Sequence, residues 1–194
     1  MKHIGRKLYH LFGGLGLLLL YYLLGRHHAL ICYSILFLIV ITIDLARLRI
    51  PAFNQLIFTR FGSFIRESER YKLTGTAPYV LGIGLSLYAF SLEVATAAIC
   101  FLAFGDVAAT TVGERFGRTR IGQKSLEGTV AFLAAALLSG LLLSVIGVQL
   151  VTGVMILGAV VAAGVELLPL PANDNLVIPL AAGGAMELAL RLFG

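Results

Sequence analysis

Apolar residues fall into seven blocks along the chain, separated by short polar breaks and one long polar stretch. The blocks cover about 7–24, 28–47, 77–91, 94–112, 126–146, 149–168 and 175–193. A helix needs ~20 apolar residues to cross a hydrocarbon core, and most of the blocks approach that length. The window 129–165 contains no charged residue at all, which leaves room for two such helices. The third block is short and carries Gly82 and Gly84. The long polar stretch has a period of its own. Phe53, Leu56, Ile57, Phe61, Phe64 and Ile65 recur at helical spacing among Asn54, Gln55, Arg60, Ser63, Arg66 and Glu67, and Pro51 suits a first helical turn. This pattern predicts an amphipathic helix near 51–66 lying in the membrane interface. The expected fold is an all-α integral membrane protein with about seven transmembrane helices, forming a single polytopic domain over residues 1–194.

Composition agrees with that reading. Of 194 residues 59% are hydrophobic and 13% charged, against about 25% charged in ordinary soluble domains. Lipid must therefore solvate much of the surface. The net charge of +5 sits on the flanks of apolar runs, a pattern of membrane topology rather than of nucleic-acid binding. With seven spans, thirteen Lys and Arg fall on the side of the N-terminus and of the 48–76 and 113–125 loops, while only Arg26 and Arg191 fall on the other. The positive-inside rule then predicts a multi-pass protein of the cell (inner) membrane, with a cytoplasmic N-terminus and the C-terminus opposite. Lys2, Arg6 and Lys7 before the first block resemble a signal peptide, but no small-residue cleavage pattern follows, so a retained first span is expected. Cys32 and Cys100 lie inside apolar runs and read as small hydrophobes. Nothing in the sequence defines an oligomeric state.

Four polar clusters interrupt this apolar background, all on the expected cytoplasmic side. In the first, Arg6, Lys7 and His10 share one helix face; they are either topology anchors or a phosphate clamp with His10 carrying a proton. In the second, Asp106, Thr110 and Gly113 follow one helical stripe, with Gly117 and Arg118 beyond. An aspartate inside a span costs ~2.5–3.5 kcal/mol on insertion scales and so marks a functional candidate. Its carboxylate suits Mg²⁺ with a nucleotide completing the shell, and the glycines would let backbone N–H groups approach phosphate. Third come Lys124, Ser125, Glu127 and Gly128. Ser125 is a candidate helix cap and Glu127 suits a first turn, or Lys124 binds phosphate and Glu127 orients a metal. The last contains Glu166, a Pro169-x-Pro171 break, then Asp174, Asn175 and Pro179, with Asp174 as a candidate cap of the last helix. Glu187, near the far face, suggests only interhelical pairing. A transporter would be expected to hold polar groups at the midplane and to show repeat symmetry, and this chain shows neither.

Taken in order, Arg6-Lys7-x-x-His10, Gly105-Asp106 with Gly113 and Phe116-Gly117, Lys124-Ser125-x-Glu127-Gly128, and Asp174-Asn175 with Pro179 resemble the polyprenol kinase family. That family includes dolichol kinase, phytol kinase and the CTP-dependent diacylglycerol kinase. The resemblance implies CTP as phosphoryl donor, Mg²⁺ as cofactor, and a membrane lipid alcohol as acceptor. It also implies functional roles for Arg6, Lys7, Asp106 and Gly113. The expected catalytic set is Asp106, His10, Lys124 and Glu127. The nucleotide would be held by Arg6, Lys7, Thr110, Gly113, Gly117, Arg118, Ser125, Gly128 and Asn175, and the metal by Asp106, Glu127 and Asp174. The segment 105–128 is similar to the phosphatidate cytidylyltransferases as well, which also use CTP. Their signature carries a Lys-Asp pair and a Pro-Lys-Lys-Thr-Trp-Glu-Gly stretch, where this chain reads Gly105-Asp106 and Gly122-Gln123-Lys124-Ser125-Leu126-Glu127-Gly128. Those departures favour the kinase over the cytidylyltransferase, with a transporter or binding protein as a third reading.

Overall fold

The computed structural model describes residues 4–193, without the side chains of Ile4 and Arg6. Every apolar block is helical. The first two blocks form one element, α1 (Ile4–Arg49), broken at Gly25, whose φ of 74° suits a residue without a side chain. Tyr33 donates its hydroxyl hydrogen to the carbonyl of Leu17 across this break. In a straight helix those residues would stand about 24 Å apart, so α1 doubles back as a helical hairpin. Next come α2 (Pro51–Phe61), a 3₁₀ turn at Glu67–Glu69, α3 (Thr76–Ala89) and α4 (Leu92–Phe116). A small antiparallel hairpin of β1 (Arg120–Ile121) and β2 (Lys124–Ser125) precedes α5 (Leu126–Val145), α6 (Thr152–Leu167) and α7 (Asp174–Phe193).

Two boundaries differ from expectation. The helix expected near 51–66 ends at Phe61, and the chain turns at 62–64 into an irregular strap that runs to 75. In addition, α4 continues to Phe116, four residues past the apolar block, and so carries the expected stripe of Asp106, Thr110 and Gly113 on one helix. Among the described residues α1, α4, α5 and α7 are long and apolar enough to cross a membrane, whereas α3 and α6 are shorter apolar helices. Leu23, Val130, Val145 and Leu192 stand more than 60% exposed on the outside of the bundle. A soluble protein does not tolerate so much exposed apolar surface, and the chain is an α-helical membrane protein.

Helix α4 forms the axis. Nearly every side chain from Val94 to Ala103 is buried, and the run is rich in alanine. Small residues let helices approach closely where lipid supplies no hydrophobic drive for their association. A Cβ on Gly105 would meet the Phe132 ring of α5 at 2.5 Å. Between α3 and α7 the approach is as close, and it is to backbone. A Cβ on Gly82 would lie 2.5 Å from the Asn175 carbonyl oxygen, a backbone atom that cannot swing away. Pro179 has no N–H to offer that carbonyl, which leaves it turned toward Gly82. Substituting Gly82→Ala is expected to destabilise the bundle by about 1–3 kcal/mol, read as a lowered unfolding midpoint in detergent micelles.

The helices run alternately between two ends of the bundle. At one end Tyr22 bonds Thr96 at 3.0 Å, Arg26 donates to the Tyr88 carbonyl at 2.7 Å, and Glu187 accepts from Ser91 N and Oγ at 3.0 Å each. Glu187 thus caps the start of α4, a specific role for a residue from which only interhelical pairing was expected. The other end gathers the start of α1, the ends of α4 and α6, and the starts of α3, α5 and α7.

Candidate active site

The strap is fixed by a buried ion pair. Asp44 and Arg47 are one turn apart at the end of α1, and the Arg47 guanidinium, 1% exposed, lies 2.7 Å from the Asp44 carboxylate. It also donates to Asn54 Oδ1 and to the carbonyls of Glu69, Arg70 and Lys72. The second oxygen of Asp44 accepts from Thr74 N and Oγ1, both at 2.8 Å. Each charge is therefore matched by hydrogen bonds, as a buried pair requires. These contacts hold 66–74 over the mouth of the bundle.

Beneath the strap, α4 presents Asp106. Its carboxylate stands 3.9 Å from Nδ1 of His10, which is buried against the Tyr79 ring at 4.7 Å between centroids. Tyr79 in turn donates its hydroxyl hydrogen to the His10 carbonyl. One turn beyond Asp106, Thr110 donates back to the Asp106 carbonyl at 2.7 Å. Lys7 on α1 reaches Glu114 at 3.0 Å and joins the two helices. The Arg6 side chain lies outside the described residues.

Across from Asp106, Lys124 projects from β2 between Asp174 at 2.6 Å and Glu166 at 3.1 Å. Glu166 is buried and also accepts from Thr129 at 2.8 Å. Burial alone would pull the Lys124 ammonium down, but the two carboxylates outweigh it and hold the group above the usual lysine range. Asn175 is buried and donates to the Gly75 carbonyl at 3.1 Å, which ties the start of α7 to α3.

The glycines of the motif have a packing role of their own. Ser125 caps α5 by accepting from Gly128 N at 3.1 Å. A Cβ on Gly117 would fall 2.7 Å from Ser125 Oγ, and one on Gly128 would fall 2.9 Å from the Ala109 carbonyl. Gly113, Gly117 and Gly128 thus let α4 and α5 close around Ser125. Glu127 accepts from Thr119 N at 3.0 Å and fastens the loop after α4. Arg118 is exposed and lines none of the polar recesses described next.

Three adjoining polar recesses of about 390, 320 and 230 Å³ open at this end. Asp106 and Arg66 line all three. Lys7, Thr110 and Glu114 border one, the hairpin and the 168–175 loop border another, and Gly113, Ser125, Gly128 and Lys124 border the central one. His10, Lys7, Asp106, Thr110, Lys124, Asp174 and Asn175 are thereby brought together, whereas Glu127, Gly117 and Arg118 stand outside. Among the described residues no three His, Cys, Asp or Glu side chains are grouped to hold a metal. Asp106, Glu127 and Asp174 do not form a cage. A single carboxylate facing a polar recess does suit Mg²⁺, which prefers one or two carboxylates plus phosphate oxygens and water.

Sequence reasoning passed over the Asp44–Arg47 pair and Arg66. An Asp-x-x-Arg at a helix end was a visible signal for the pair. Arg66 carried none beyond its charge.

The architecture defines a class: a helical membrane protein with a recessed, charge-lined site at one end. The chain is similar to the protein named CTP-dependent diacylglycerol kinase 1 in three fungi. It is 32% identical over 137 residues to that of Saccharomyces cerevisiae, covering 67% of this chain and 47% of the relative. To the Eremothecium gossypii protein it is 35% identical over 106 residues, covering 53% and 33%. To that of Schizosaccharomyces pombe it is 33% identical over 90 residues, covering 45% and 41%. The matches span less than half the length of each of these curated relatives. The kinship read from motif order is borne out. No family model matches, and no solved structure does.

Proposed function

We propose that this chain is a CTP-dependent kinase that transfers the γ-phosphoryl group to the hydroxyl of a membrane lipid alcohol. One observation carries the reading: Asp106 forms the shared wall of three polar recesses, with His10 on one side and Lys124, Lys7 and Arg66 around it. Phosphoryl transfer depends mainly on positioning and charge neutralisation, and these groups supply both. Asp106 would hold Mg²⁺, with Asp174 as the next carboxylate on the same wall, and the ion would supply charge neutralisation for the triphosphate. Lys124, Lys7 and Arg6 bind the phosphates. The acceptor hydroxyl loses its proton to His10 or to a carboxylate as the new P–O bond forms and CDP leaves.

The membrane frame follows from the same reading. Both arms of α1 and helices α3 to α7 form seven spans, and α2 lies in the interface with Leu56 and Phe61 toward lipid. The charged end faces the cytoplasm, where CTP is available, and the acceptor comes from the adjoining leaflet.

The test uses purified protein in lipid nanodiscs with diacylglycerol, a polyprenol and a phytol-like alcohol in turn. Label from γ-labelled CTP is expected in the lipid product. Incorporation into phosphatidate from α-labelled CTP, with none from the γ position, would identify a cytidylyltransferase instead. Turnover of neither label would leave a binding or transport protein.

A further inference from the structure

Among the described residues four cations line the recesses around Asp106, and three are already engaged. Lys7 is paired with Glu114, Lys124 with Glu166 and Asp174, and Arg120 donates to the Gly113 carbonyl at 3.3 Å. Arg66 is the fourth. It lines all three recesses, and among the described residues no carboxylate is paired with its guanidinium. The same walls carry five carboxylates, those of Glu67, Asp106, Glu114, Glu166 and Asp174. An uncommitted cation offsets the repulsion that these carboxylates exert on a polyanion.

The backbone at Arg66 is not loose. Its N–H donates to Glu69 Oε2 at 3.1 Å, and the carbonyls of Glu69, Arg70 and Lys72 are held by the buried Arg47. Asp44 fixes Thr74 at the end of the same strap. A buried network therefore fixes the backbone that carries one exposed guanidinium beside the recesses. A planar five-donor fork on a pinned backbone suits phosphate oxygens, which it meets with paired, charge-assisted hydrogen bonds.

We propose that Arg66 is a triphosphate-binding residue of this site, delivered by the strap that Asp44 and Arg47 pin down. This rests on the reading of the site as a CTP site, and the test separates the two. Binding of labelled CTP with Mg²⁺ and steady-state transfer to diacylglycerol are measured on the full chain in nanodiscs, for wild type, Arg66→Ala and Arg66→Lys. Arg66→Ala is expected to raise both the Kd and the KM for CTP by about ten- to a hundredfold, the worth of one or two charge-assisted hydrogen bonds. The KM for the lipid should stay unchanged. Arg66→Lys should recover part of the loss, since a lysine keeps the charge but not the fork. An unchanged unfolding midpoint shows that the strap is intact in each variant. Wild-type Kd and KM for CTP in Arg66→Ala would overturn the proposal, as would a loss confined to the lipid KM. Wild-type protein that binds CTP without transferring phosphate would fail the kinase reading while leaving Arg66 tested by binding. Wild-type protein that does not bind CTP would overturn both.

Discussion

Replacing Asp106 with asparagine is expected to slow γ-phosphoryl transfer by at least about 10²–10³-fold, the usual loss when a preorganised charge is removed from a reacting centre. The amide has the shape of the carboxylate but no formal charge to neutralise a divalent cation. Asp106 is partly exposed to the recesses, and its carboxylate stands 3.9 Å from His10, beyond a direct hydrogen bond. The fold should therefore survive the change, and the unfolding midpoint should move little. Initial rates with γ-labelled CTP, measured beside that midpoint, check both halves. A variant that transfers at the wild-type rate would remove Asp106 from the centre of the site. His10→Asn offers a companion measurement. If the imidazole takes the proton of the acceptor hydroxyl, its loss should lower kcat more than it changes the KM for CTP, since proton transfer belongs to the transition state.

The parts of the fold set by long apolar periodicity were legible from sequence, because helices of this length in lipid must satisfy every backbone group internally. The block boundaries reappear in α1 and α3 to α7 to within a few residues. What could not be read was set by contacts far apart in the chain. The hairpin at 120–125 has strands of two residues, too short for any alternation to show. Gly113, Gly117 and Gly128 looked like a phosphate cradle, but a glycine serves close helix packing equally well, and only the position of Ser125 reveals that use. Glu127 suited a metal by type, yet the N–H of Thr119 occupies its oxygens, and no spacing encodes that. Arg66 and Arg47 were both counted as topology charges. Their difference lies in burial, since one is sealed under the strap and the other opens onto Asp106.

That sealed residue carries the largest expected effect on stability. Arg47→Ala should cost about 3–5 kcal/mol, because it strands the Asp44 carboxylate in a buried site and leaves the carbonyls of Glu69, Arg70 and Lys72 without their donor. Removing both charges with residues of similar bulk, Asp44→Leu with Arg47→Met, should recover only part of that loss. In a simple buried pair the apolar double replacement can equal the original or exceed it. Here the guanidinium also serves backbone acceptors of the strap, and Thr74 loses the acceptor for its N–H and hydroxyl, so unsatisfied groups remain in the double variant. Unfolding in mixed micelles gives the energies. Limited trypsin digestion gives the location, since Arg66, Arg70 and Lys72 all lie in the strap and should be cleaved sooner once it is released. Full recovery in the double variant, with the strap still resistant to trypsin, would show that the pair serves only itself. Partial recovery with rapid cleavage would show instead that α1 spends a buried arginine to hold 66–74 over Asp106. In that case the strap, and Arg66 with it, belongs to the architecture of the site.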